Sequence, residues 1–146
     1  MFNSLLTNQS VASGGVDAAA DQILAQTSAM PVLSALGGTV TADGTEQTLV
    51  IVSEPLGCFR PLVLWVDLDN MAGVDSITVR VYYRLRDAGG LQLWDSQVFT
   101  GPDGGLVNNA KLLDIELHPN RHGFQVTLQQ TAGVNRDYDW EFITEV

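Results

Sequence analysis

At 146 residues, 45% of them apolar and only 16% charged, the chain has room for one domain around a core and a short appendage. A formal net charge of −10 argues against nucleic acid as a partner, because that binding relies on Lys and Arg displacing counterions from phosphates. Runs such as LVIV and LVLWV fall far short of a membrane span, and MFNSLLTNQS lacks the basic and apolar regions of a signal peptide.

Residues 1–36 are rich in Ala, Ser, Gln, Asn and Thr, with Asp17 and Asp21 as their only charged side chains. Val16, Ala20, Ile23, Leu24 and Thr27 share one helical face, Gly14 and Gly15 precede it, and Pro31 forbids much continuation. The pattern predicts an N-terminal arm carrying a short helix. A mostly alanine face is marginal in water alone, so the helix either packs on its own domain or orders on a partner.

From Gly37 onward the period is two. In DSITVRVYYRLR, Ile77, Val79, Val81, Tyr83 and Leu85 alternate with Ser76, Thr78, Arg80, Tyr82, Arg84 and Arg86, the pattern of a half-buried strand. GTVTAD, EQTLVIVS, RPLVLWVDL, LQLWDSQVF, LLDIEL, GFQVTLQQ and RDYDWEFITEV read in the same way. Turn chemistry separates them at Asp43-Gly44, Asp87 to Gly90, Gly101 to Gly105, Pro119-Asn120 and Ala132 to Asn135. About eight short strands without intervening helices predict an all-β fold over residues 37–146, an antiparallel β-sandwich of jelly-roll-like type.

In RDYDWEFITEV, Tyr138, Trp140, Phe142, Thr144 and Val146 share one face, while Asp137, Asp139, Glu141 and Glu145 share the other. A sugar cleft would place acids and aromatics on the same face. The aromatics are therefore expected in the core and the acids in solvent or ion pairs.

The candidate chemical sites are few. His118 and His122 in HPNRH would approach each other only on a helix, which Pro119 disfavours, so a surface turn is expected rather than a metal site. Cys58, the single cysteine, excludes an internal disulfide and has no CxxC context to activate it. DLDNMAGVD opens like a calcium loop, but Met71 and Ala72 occupy positions where a ligand and the invariant glycine belong. GPDGG reads as a hairpin turn. Arg80, Tyr82, Arg84 and Arg86 form an outward row that either pairs with acids of a neighbouring strand or serves a protein interface. No nucleophile elbow or Gly-rich cofactor fingerprint is present, so neither an enzyme nor a cofactor is expected.

Three stretches, GTVTADGTEQTL (38–49), WVDLDNMAGVDSITVRVYYRL (65–85) and VTLQQTAGVNRDYDWEF (126–142), carry a recurring pattern. Its parts are a T-x-D-G-T-E-Q-T strand, V-D-L-x-N-M followed by a strand ending V-R-V-Y, and V-T-L-x-Q-T-A-G-x-N-R. In these the chain resembles small virion-associated β-sandwich proteins of tailed phages and archaeal viruses. The resemblance spans much of 38–142, excludes the arm, and implies a structural viral role without catalytic residues.

Together these readings favour an exterior capsid decoration (cement) protein, made in the host cytoplasm and carried on the virion. Its acidity suits a surface facing away from packaged DNA. The expected partners are the major capsid protein or other virion proteins, with the chain itself a homo-oligomer, a trimer being favoured. About 30 extended residues, at about 3.3 Å each, would reach on the order of 100 Å, onto a neighbouring subunit. The residues expected to carry assembly are Ile23, Leu24 and Met30 in the arm, then Arg80, Tyr82, Arg84 and Arg86. The rival is a tail- or fibre-associated receptor- or glycan-binding module using the loop at 101–109, where Asn108 and Asn109 lie.

Overall fold

The computed structural model describes residues 32–53 and 60–145. Ile23, Leu24, Met30, the helix expected around them and Cys58 lie outside the described residues.

Eight strands form: β1 (Leu33–Thr41), β2 (Gln47–Val52), β3 (Pro61–Asp67), β4 (Ser76–Arg84), β5 (Leu91–Thr100), β6 (Leu112–Glu116), β7 (Phe124–Ala132) and β8 (Asp137–Glu145). They make two four-stranded sheets, ordered β1-β8-β3-β6 and β2-β7-β4-β5, and every pairing is antiparallel. The pairings are nested: β1 lies on β8, β2 on β7, β3 on β6 and β4 on β5. Rolling that ribbon brings β8 against β3 and β7 against β4. This is the jelly-roll solution, in which two sheets bury one face each against the other.

Alternation in the sequence becomes the inner and outer faces. Leu64, Val66 and Leu68, Ile77, Val79 and Val81, Phe124, Val126 and Leu128, with Tyr138 and Phe142, are all buried. All but Leu68, which directly follows β3, come from the two central strands of each sheet, which explains why those strands have the cleanest period in the sequence. In β8 the expected faces are observed: Tyr138, Phe142 and Thr144 are buried and Trp140 half-buried, whereas Asp137, Asp139 and Glu141 are exposed. That stretch is a strand of the sandwich, with its aromatics turned inward.

Three expectations need correction. The sheet begins at Leu33, because Leu33 to Gly37 pair with Glu145 to Glu141 of β8; four residues assigned to the arm belong to the sandwich. GPDGG is not a hairpin turn. It forms a 3₁₀ turn at Pro102–Gly105, followed by another at Val107–Asn109, and carries the chain from β5 in one sheet to β6 in the other. Within the described connections, only Asp87 to Gly90 joins two strands that pair with each other, and it cuts β4 short at Arg84, so Leu85 projects into solvent.

Two β-bulges adjust the edges. In β2, Thr48 and Val50 face consecutive residues of β7, so Leu49 is extra and both Leu49 and Val50 turn inward. In β5, Asp95 and Leu93 face Val81 and Tyr82, so Trp94 is extra. An extra residue breaks the alternation and re-aims the side chains beside it.

Candidate functional site

β5 is the outer strand of its sheet, and its ten residues are largely uncovered. Leu93 and Val98, opposite Tyr82 and Thr78, lie on the outer face at 56% and 64% exposure. Asp95, Gln97 and Phe99 lie opposite Val81, Val79 and Ile77, and so share the inner face. The bulge brings Trp94 over that same side. No sequence pattern announced this residue. The one signal was that neither alternating set in LQLWDSQVF is cleanly apolar, as expected of an edge strand.

Where the β5 edge faces the β6 edge, the sandwich opens into a cleft of about 290 Å³. Trp94, Asp95 and Gln97 line the β5 side, and β6 with His118 the other. Leu113 and Ile115, opposite Val66 and Leu64, face inward, whereas Asp114 and Glu116, opposite Trp65 and Val63, belong to the outer face; Val79, Val81 and Phe99 complete the apolar floor. Trp94 is 61% exposed yet held by neighbours. Its ring is nearly perpendicular to those of Tyr83, at 6.0 Å, and His118, at 5.5 Å, in the T-shaped arrangement aromatic quadrupoles prefer. The His118 backbone N–H donates to the Tyr83 hydroxyl at 2.8 Å, which fixes the segment after β6 against β4. Burial pushes the Tyr83 phenol above its usual range; the His118 bond opposes this and the Glu116 charge adds to it. Asp95 accepts from the Ser96 backbone N–H at 2.8 Å and from Gln97 Nε2 at 2.7 Å.

Arg80, Tyr82 and Arg84 lie on the outer face of β4, as the alternation predicted; Arg80 and Tyr82 share Glu46, and Arg84 has a partner of its own. Arg80 pairs with Glu46 at 3.3 Å and donates to Gln129 Oε1 at 3.1 Å. Tyr82 and Thr127 each donate a hydroxyl to Glu46 Oε1 at 2.6 Å. Those two bonds, and then the Arg80 charge, outweigh partial burial and hold the Glu46 carboxyl below its usual range; the same Tyr82 bond raises the Tyr82 phenol. Arg84 reaches the Ser53 carbonyl at 2.7 Å, and Arg86 stands in the β4–β5 turn. The acid comes from the segment before β2, two strands away across β7, rather than from an adjacent strand.

The acids of DLDNMAGVD are spent on local structure. Asp67 accepts from the Asp69 backbone at 2.8 Å, Asp69 pairs with Lys111, and Asp75 pairs with Arg136 at 2.8 Å. His118 and His122 lie outside any helix, in the turn between β6 and β7. Among the described residues, no group of three or more His, Cys, Asp or Glu is placed to hold a metal ion, and no helix is long and apolar enough to cross a membrane. Asn108 and Asn109 are exposed at the tip of the β5–β6 connection, in left-handed conformations with φ of 58° and 57° that asparagine tolerates.

No protein-family model matches the chain, and no curated protein matches it. Solved structures similar to it include the crystal structure of PirA, at 12% identity and a TM-score of 0.43, over 77% of this chain and 93% of that one. Another comes from the disulfide-linked pili of Bacillus endospore appendages, at 14% identity and a TM-score of 0.47, over 80% of this chain and 88% of that one. A third is the infectious bursal disease virus VP2 subviral particle, at 8% identity and a TM-score of 0.45. There the overlap takes 81% of this chain and only 33% of the VP2 chain. A viral capsid particle and a pilus are thus among the similar structures, at a likeness too low to carry a functional argument.

Proposed function

We propose that the chain is a structural virion protein, an exterior capsid decoration (cement) protein that binds the major capsid protein lattice and acts by binding alone, without catalysis. The observation that carries this reading is the uncovered edge strand β5. Its ten residues leave one row of backbone donors and acceptors without a strand partner, and Leu93, Trp94 and Val98 are each more than half exposed. Free edges are templates for pairing, and apolar groups gathered on a surface mark sites of protein contact. The net charge of −10 suits a surface turned away from packaged DNA, and the resemblance of residues 38–142 to virion-associated proteins points the same way. The chain would act as a homo-oligomer, a trimer at a capsid axis, with Ile23, Leu24 and Met30 of the arm and the Arg80–Arg86 row as further contacts.

The test is co-sedimentation of the full-length protein with capsids stripped of it. Saturable binding at a fixed copy number per capsid protein is expected, weakened by the pair Leu93→Lys and Val98→Lys. Removing residues 1–32 should weaken binding further, since a tethered second contact raises avidity by roughly 10²–10⁴. A second reading, a glycan-binding module of a tail or fibre, draws on the exposed Asn108 and Asn109. Binding to host surface glycans but not to capsids would replace the first reading with the second.

A further inference from the structure

We propose that the cleft between β5 and β6 is a binding site for one neutral sugar ring of a glycan. A regular strand cannot build such a site, because it sends an aromatic residue and the acid beside it to opposite faces. β8 shows this: Tyr138 and Phe142 are buried, while Asp139 and Glu141 are exposed. In β5 the bulge lifts that restriction. Trp94 and Asp95 are neighbours in sequence, yet both line the cleft, and Gln97 follows on the same face.

The parts of the cleft match the parts of a pyranose, which has an apolar C–H face and a rim of hydroxyls that donate and accept. Trp94 supplies a flat apolar surface, 61% exposed, and its perpendicular contacts with Tyr83 and His118 hold it in place before a ligand arrives. Asp95 accepts from the Ser96 backbone N–H and from Gln97 Nε2, which fixes the carboxylate and leaves about two of its about four acceptor positions for hydroxyl donors. The Gln97 amide and the His118 ring line the same cleft. An apolar floor with a few fixed polar groups is the make-up of small-ligand sites. At about 290 Å³ the cleft falls just under the about 300–1,000 Å³ typical of them, room for one ring rather than a folded element. Charge sets the class of sugar. No Lys or Arg lines the cleft, and Asp95 would repel an acidic sugar, so the ring is neutral.

The competing reading makes Asp95 an inward-pointing charge that keeps an edge strand from pairing with others. That explains Asp95 but not the indole beside it, since an exposed aromatic on a free edge invites contact. An apolar side chain from a partner protein would use Trp94 but cut the polar groups of Asp95 and Gln97 off from water without replacing their hydrogen bonds.

The site is separate from the loop tip at Asn108 and Asn109, neither of which lines the cleft, and it does not depend on attachment to capsids. Capsid co-sedimentation tests attachment; a titration of the isolated full-length protein tests the cleft. The probes are the methyl glycosides of glucose, galactose and mannose, with cyclohexanol as an apolar ring of similar size and methyl sialoside as an anionic sugar. The reporter is the Trp94 indole N–H resonance, assigned by its loss in Trp94→Phe. A saturable shift with at least one of the three glycosides is expected, with a dissociation constant on the order of 1 mM, and a far weaker response to the other two probes. Saturation transfer from the protein to that glycoside should vanish in Trp94→Ala, and its affinity should fall about tenfold in Asp95→Asn. Both side chains are exposed, so both variants should melt near the parent. No response to any of the three glycosides, an equal response to cyclohexanol or methyl sialoside, or binding indifferent to Trp94→Ala or to Asp95→Asn would overturn the proposal.

Discussion

Arg136 donates through Nε to Asp75 Oδ2 at 2.8 Å, joining the segment before β4 to the β7–β8 corner across the end of the sandwich. Asp75 is only 2% exposed, and it also accepts from the Ala72 and Val134 backbone at 2.9 Å each. Gly133 makes this approach possible. Its φ is 85°, and a Cβ there would stand 2.0 Å from Asp75 Oδ1. Breaking one partner of a buried ion pair costs about 3–5 kcal/mol, so Asp75→Asn is expected to approach that loss. Gly133→Ala should also destabilise by well over 1 kcal/mol, from left-handed strain and displacement of the carboxylate. Chemical denaturation of both variants checks this.

The same carboxylate predicts acid behaviour. Burial alone would raise the Asp75 pKa, but the bonds from Ala72, Val134 and Arg136 outweigh it and hold the carboxyl below its usual 3.8. With a lowered folded pKa, its stabilisation is intact above about pH 4 and fades as pH falls through the lowered value. Melting temperature against pH should therefore drop on the acid side in the parent and be flatter there in Asp75→Asn.

Tyr138 predicts the alkaline limb. Its hydroxyl donates to Gln130 Oε1 at 3.0 Å inside the core, and burial first, then the Asp75 charge, push the phenol up to about 12. A raised folded pKa means the contribution is fully present below pH 10 and is lost as pH rises through about 12. Ultraviolet titration should find Tyr138 the late-ionising tyrosine, and Tyr138→Phe should cost about 1 kcal/mol at neutral pH.

Trp140→Ala should destabilise the fold rather than remove a ligand contact. The ring is half-buried against the core and stands over Gly38 of β1, whose Cβ would lie 3.8 Å from the indole nitrogen. Partial burial places the loss below the about 3–5 kcal/mol typical of a large core aromatic. An unchanged melting temperature together with lost glycan binding would make Trp140 a ligand residue instead.

Glu46 is expected to couple Arg80, Tyr82 and Thr127. Single changes Glu46→Gln and Tyr82→Phe should each cost about 1 kcal/mol, and the double variant should cost less than their sum. Additive losses in a double-mutant cycle would mean that the outer face of β4 is a set of independent contacts.

Where each strand lies and which face it buries was legible in the sequence, because alternation is a local property. Ile77, Val79 and Val81 against Arg80 and Tyr82, or Tyr138 and Phe142 against Asp139 and Glu141, are separated by the period of two alone. Which strand lies beside which was not legible. GPDGG has hairpin chemistry yet joins different sheets, since pairing is settled by which inner faces pack together across distant segments. Leu33 to Gly37 show no alternation and are strand only because β8 offers them a free edge. Trp94 reaches the cleft through a one-residue bulge, and it meets His118 only because β5 and β6 end as facing edges of the two sheets. Local period reports what each residue wants buried; rolling the ribbon decides what it is buried against.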